Sequence, residues 1–207
     1  MAFSIKGLYY LQNAIMSPSN LELLTVLANR LVQMYKHESN EKWAWFEGYV
    51  TYANSILPEA MLYAWLLTRE TVYKDIAISS LDFLLSQTFN ENGIVVITNN
   101  NWLQRGALPM HFGEQPIDVA YTILTLSKFY EVFKNEEYRQ KLETAFNWFL
   151  GKNHLHQIIY NPCTGGCYDG LEATNVNLNQ GAESTLSYLM ARLTIEKVKH
   201  SGSLEIT

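Results

Sequence analysis

Two segments of the chain are apolar nearly all the way round a helix. In "PEAMLYAWLLT" these are Ala60, Leu62, Ala64, Trp65 and Leu66; in "PIDVAYTILTL" they are Ile117, Ala120, Tyr121, Ile123, Leu124 and Leu126. Such a helix must be covered on several sides. Each is followed by a one-sided helix. The first runs from about Glu70 to Thr88 with Ile76, Leu81, Leu84 and Leu85 inward; the second runs from about Glu136 to Leu150 with Tyr138, Leu142, Phe146 and Phe149 on one face. A last helix is expected from about Ala182 to Val198. The buried helices start near Pro58, Pro116 and Gly181, a period of about 60 residues. A polar, aromatic loop leads into a buried helix, which turns into an amphipathic one, and the unit recurs. Two concentric layers of helices produce that alternation, as in an α/α toroid, although a solenoid of helical hairpins reads similarly.

The N-terminal region adds two helices. Leu24, Leu27, Leu31, Met34 and Tyr35 share a face of one from about Asn20 to His37, and Phe3, Leu8, Leu11 and Ile15 mark a shorter one before it, with the turn and N-cap in "SPSN" between them. Pro58 and Pro116 are expected at the first helical position, where a missing N–H costs nothing. The turn pair Asn92-Gly93 followed by "IVVIT" predicts one short β-hairpin. The expected class is all-α: an α/α toroid of about seven helices, one domain over residues 1–207, with the ring of hairpins incomplete.

With 207 residues and 48% hydrophobic content the chain can bury a real core. A net charge of -5 and no Lys/Arg run argue against nucleic acid. Cys163 and Cys167 read as ordinary thiols before a disulfide, and His154 and His156 beside them do not have a zinc-finger spacing, so no metal and no cofactor is expected. The start "MAFSIKGLYYLQNAIM" reads as an amphipathic helix, not a signal peptide, and no apolar run is long enough to span a bilayer. A cytoplasmic location is the expectation.

In a toroid the inner helices run the same way, so the loops entering them should meet around one cleft. The first loop offers Trp43, Trp45, Glu47, Tyr52 and Asn54. The second offers Trp102, His111, Glu114, Gln115 and Asp118, and the third Asp169, Asn177, Asn179, Gln180 and Glu183. Each has a simpler explanation. Asp118 and Glu183 lie in first turns, where helix ends favour a carboxylate, and the asparagines suit tight turns. The coincidence of aromatics, amides and carboxylates in all three loops favours a site. Aromatic faces stack on sugar rings, amides bind hydroxyls, and paired carboxylates hydrolyse glycosidic bonds. Asp118 and Glu183 are the expected acid/base pair, with Asp169 or Glu47 as substitutes; the remaining loop residues apart from Glu114 are the expected substrate contacts.

The stretches "WAWFEGYVTYANSILPEAMLYA", "FGEQPIDVAYTIL", "FNWFLGKN" and "TGGCYDGLEATNVNLNQGAESTLSYL", between Trp43 and Leu193, resemble the six-hairpin, glycosidase-like α/α toroid proteins of bacteria. In that family the domain occurs alone or behind a group 1 glycosyltransferase domain. The resemblance implies a carbohydrate-active protein. It also implies an Asp before the Asn of "Y-x-N", where this chain has Ala53. A complete six-hairpin ring is longer than this chain, and the uncovered helix sides would favour a homo-oligomer.

The leading expectation is therefore a glycoside hydrolase-like protein acting on or binding a glycan. The alternative is a non-catalytic sugar-binding domain that assists a glycosyltransferase. A sugar epimerase ranks third, since such enzymes rely on paired His and only His111, His154 and His156 lie near the loops.

Overall fold

The computed structural model describes residues 1–99 and 101–204; for 201–204 it describes the backbone alone. Among the described residues there are seven helices, which make the chain 58% helical. It divides into two compact units, Met1–Val50 with Ser55–Ser86, and Thr51–Asn54 with the chain from Gln87 onward.

The first unit contains α1 (Ala2–Ala14), α2 (Pro18–Glu38), the two-residue strand β1 (Tyr49–Val50), α3 (Ile56–Thr68) and most of α4 (Thr71–Thr88). The three helices α1, α2 and α3 pack on one another. Helix α3 is buried nearly all round, as its composition requires. It starts two residues earlier than expected. Pro58 occupies the third helical position, where the N–H still has no intrahelical acceptor, and the first helical bond runs from Glu59 N–H to Ser55 O at 3.2 Å. On α1 the buried residues are Ala2 and Ile5, whereas Phe3, Leu11 and Ile15 are exposed, so the inward face is not the one expected. A partly buried polar network accompanies that choice. Lys6 Nζ donates to both carboxylate oxygens of Glu59 at 2.9 Å, Tyr63 Oη donates to Glu59 Oε1 at 3.1 Å, and the Tyr10 and Tyr63 hydroxyls meet at 2.9 Å.

The second unit contains β2 (Phe89–Asn90), β3 (Gly93–Ile94), β4 (Leu103–Gln104), α5 (Pro116–Phe133), α6 (Glu136–Phe149), β5 (Gly170–Leu171), β6 (Val176–Asn177) and α7 (Ala182–Leu204). The predicted hairpin is the antiparallel pair β2–β3, closed at Asn90 and Gly93, with most of "IVVIT" continuing outside the ladder. A further antiparallel pair, β5–β6, lies inside the polar loop before α7, in register Gly170 with Asn177 and Leu171 with Val176. Helix α5 packs between α6 and α7. It is buried on most sides and starts at Pro116 as expected. An aromatic core joins α6 to α7. Tyr188 stacks on Tyr160 at 4.1 Å and 11°, and meets Phe149 edge-on at 5.4 Å.

Helix α7 departs from expectation. Ser184, Ser187, Tyr188, Ala191, Ile195 and Val198 are buried, but Leu186, Leu189 and Leu193 are exposed, Leu193 by 62%. It is apolar on both sides but covered on one. Cys163 is exposed and Cys167 buried, and the two are not disulfide-bonded. Among the described residues no helix is long and apolar enough to cross a membrane.

Candidate functional site

The loops entering α5 and α7 are joined by their backbones. Gly113 N–H and Glu114 N–H both donate to Leu171 O at 3.0 Å, and Leu171 N–H returns a bond to Glu114 O at 2.9 Å. A Cβ at Gly170 would lie 3.2 Å from Glu114 O, so glycine permits this approach. The second and third polar loops therefore meet within the second unit. Of the first loop, only Thr51–Asn54 belongs to this unit.

Asp118 sits in the first turn of α5 and is 6% exposed. Its Oδ1 accepts the Ala53 N–H at 2.6 Å. Burial pushes its carboxyl up to about 7; the Ala53 N–H pulls it down, and the charge of Glu183 adds to the rise. Glu183 is exposed in the first turn of α7. A buried carboxyl at the start of α5 thus feels the charge of an exposed one at the start of α7, a helix packed against it. Different environments for paired carboxyls are what separates an acid from a base.

Asp169 is engaged otherwise. Its Oδ1 accepts Gly181 N–H at 2.8 Å and the Ser184 hydroxyl at 2.7 Å, so it holds the start of α7 in the manner of a cap. A Cβ at Gly181 would come within 2.9 Å of that oxygen, which explains the glycine. Asn177 Oδ1 accepts Asn179 N–H at 3.2 Å, a local turn bond, and Gln180 Oε1 accepts the Thr164 hydroxyl. Asn179 and Gln180 are exposed, and Gln115 is the half-buried N-cap of α5.

The aromatic expectations fare differently. Trp45 is 0% exposed and packs edge-on against Phe46 at 5.5 Å, while Trp43 is buried against Phe83 at 4.9 Å and donates its indole N–H to Glu47 O. Both are core residues of the first unit, and a stacking platform for sugar is not what they form. Glu47, in the same unit, is half-buried, and burial raises its carboxyl. Tyr52 is exposed, and Asn54 is buried with its Oδ1 accepting Thr51 N–H at 2.8 Å. Trp102 is exposed beside a cavity of about 580 Å³ that also holds Gln104 and Met110 and that none of the three carboxylates lines. His111 is exposed next to Phe112.

Glu114 is a buried carboxyl that stands outside the expected acid/base set. Glu114 is 2% exposed; its Oε2 accepts the Trp148 indole N–H at 2.9 Å, and burial pushes it up to about 7 against the bonds from Trp148 and the Val96 N–H. His154 Nδ1 lies 3.5 Å from Oε1, long for a hydrogen bond, and its Nε2 is 2.8 Å from Glu172 O. The signal was the position: an acid two residues before Pro116, flanked by Gly113. What buries it is an indole 34 residues away. Among the described residues no group of three His, Cys, Asp or Glu is placed to hold a metal.

No family model matches the chain, and no curated protein does. Among solved structures it is similar to a glycoside hydrolase family 76 mannosidase from Bacteroides thetaiotaomicron, with a TM-score of 0.54 and 16% identity over 71% of this chain. The chain spans 38% of the length of that neighbour. The likeness is one of fold: the chain is all-α, consistent with an α/α toroid.

Proposed function

We propose that the chain is a carbohydrate-active protein that acts on or binds a glycan at the N-terminal ends of α5 and α7. The observation that carries this reading is the Asp118–Glu183 pair. A buried carboxyl held up to about 7 stays partly protonated near neutral pH and can act as a general acid, while an exposed carboxylate on the neighbouring helix α7 can serve as base or nucleophile. The toroid fold, found in a mannosidase, agrees with sugar chemistry. A glycosidase needs its two carboxyls about 5 to 9.5 Å apart, depending on stereochemistry. In this reading Asp169 positions α7, and Gln115, Asn177, Asn179 and Gln180 bind hydroxyls.

A second reading, a non-catalytic sugar-binding domain working with a glycosyltransferase, is favoured by one observation. The partner of Asp118 at position 53 is a backbone N–H rather than a second carboxylate. Oligosaccharide hydrolysis by the wild type and by Asp118→Asn and Glu183→Gln separates the two. Turnover that falls by orders of magnitude in both variants supports the hydrolase. Binding by calorimetry without turnover supports the accessory domain, and neither on a broad glycan panel overturns both. We further propose that copies of the chain associate through the exposed leucines of α7.

A further inference from the structure

The turn after α6 and the β2–β3 hairpin enclose a cavity of about 520 Å³ that contains neither Asp118 nor Glu183. Asn90 and Asn92 come from the hairpin, Glu114 from the loop before α5, and Lys152, His154 and His156 from the turn. Three features mark it as built rather than incidental.

The first is how Glu114 is aimed. Phe112 and Gly113 both have left-handed backbones, φ +75° and +88°. For a phenylalanine that conformation is strained, and such strain persists where the surroundings impose it. It delivers Glu114 to the indole of Trp148, and Phe112 itself rests against His154 at 4.9 Å. Among the residues lining the cavity Glu114 is the only carboxylate.

The second is the rigidity of the turn. Asn153 Nδ2 donates to Trp148 O at 3.0 Å and Gln157 O at 2.8 Å, and His156 N–H donates to Asn153 O at 3.0 Å. His156 has φ +53°, a conformation that glycine or asparagine adopts more readily. Histidine, like Asn and Asp, is among the residues that accept this backbone, and here it places an imidazole at the cavity wall.

The third is charge. Among the described residues neither the Lys152 ammonium nor the His156 ring has a carboxylate within ion-pair distance. The cavity thus presents the Lys152 ammonium and two imidazole rings beside one carboxyl that burial holds up to about 7. An ammonium with no carboxylate partner attracts an anion, the imidazoles beside it offer ring N–H donors, and two amides suit hydroxyl groups.

We propose that this cavity binds an acidic sugar, a uronic acid unit, with Lys152 and His156 facing its carboxylate and Asn90, Asn92 and Glu114 facing its hydroxyls. The choice of a sugar rests on the function proposed above; the cavity and its charge do not.

The test is titration of the full chain with D-glucuronate at pH 6, read by calorimetry and by backbone amide NMR shifts, with D-glucose and acetate as probes. The expected result is binding of glucuronate at least 10-fold tighter than of either probe, with shifts at Asn92 and 152–156. Lys152→Met and His156→Asn, the latter compatible with the turn, should each weaken it about 10-fold while leaving the far-ultraviolet spectrum and thermal midpoint unchanged. Absence of binding at millimolar glucuronate overturns the proposal. So does equal binding of acetate, which marks an unspecific anion, or of glucose, which marks a neutral-sugar site. Shifts confined to Ala53, Asp118 and Gly181 also overturn it, while supporting a sugar site at the α5–α7 ends. Binding here with no glycan turnover anywhere sinks the hydrolase reading and leaves this site standing.

Discussion

The backbone N–H of Ala53 donates to Asp118 Oδ1 at 2.6 Å, from a residue whose φ is +49°. Alanine is uncomfortable in a left-handed backbone, where its Cβ crowds the following carbonyl; Asp, Asn and Gly are tolerated there.

Two substitutions at position 53 should therefore act in opposite directions. Ala53→Gly relieves the left-handed strain and should stabilise the fold by about 1 kcal/mol in urea denaturation. Ala53→Asp suits the backbone but brings a second carboxyl next to Asp118, and should lower the midpoint at pH 8 relative to pH 5. An Ala53→Asp variant with no pH dependence beyond the wild type would show that the two side chains do not meet.

Asp118 and Glu114 set a second prediction. Both fold with their carboxyls held up to about 7 by burial, from ordinary values of 3.8 and 4.5. The folded state binds their protons more tightly than the unfolded one, so stability falls as pH rises from about 4 to 7 and levels off above. The double variant Asp118→Asn, Glu114→Gln keeps oxygens for Ala53 N–H and the Trp148 indole. It should flatten that decline and exceed the wild type in denaturant midpoint at pH 8. A decline of unchanged slope would place its source elsewhere.

How far the sequence could carry the reading follows from the range of the forces involved. The starts of α5 and α6 were legible because proline at a helix start and Asn135, whose side chain caps Glu137 N–H, are local signals. The burial of α3 and α5 was legible because it requires apolar residues on every side. The fate of Trp43 and Trp45 was not, since an aromatic residue in a loop looks the same whether it meets Phe83 or a ligand. Glu114 escaped for the same reason: its burial depends on Trp148, which no local pattern announces. Helix α7 looks buried in the sequence because Leu186, Leu189 and Leu193 make its exposed face apolar as well.

In the first unit, the ion pair of Lys6 with Glu59 is buried on its acidic side, with Glu59 1% exposed. Removing the cation leaves a buried charge unmatched. Lys6→Met should cost ~3 kcal/mol, and Lys6→Met with Glu59→Gln should recover most of it. A cycle in which the double variant is as unstable as the sum of the single ones would deny the coupling.

The exposed leucines of α7 bear on association. Leu186, Leu189 and Leu193 follow helical spacing on one face. If that face is where copies meet, Leu189→Glu with Leu193→Glu should shift the light-scattering mass at micromolar concentration to the monomer and leave the helical circular dichroism unchanged. A wild type that is already monomeric ends the proposal.

The final prediction tests the Asp118–Glu183 relationship without a substrate. Glu183 raises the proton affinity of Asp118 through its charge, but burial is the larger cause. Glu183→Gln removes the charge and keeps the side chain's size. The Asp118 carboxyl, followed by its carbon resonance in a pH titration, should then titrate at lower pH than in the wild type, by less than half of its total elevation. Because Glu183 is exposed, added salt should lower the wild-type value in the same direction and leave the variant nearly unchanged. If the two proteins titrate alike, the charge of Glu183 does not reach Asp118. The starts of α5 and α7 would then not form the paired-carboxyl site that the proposed hydrolysis requires.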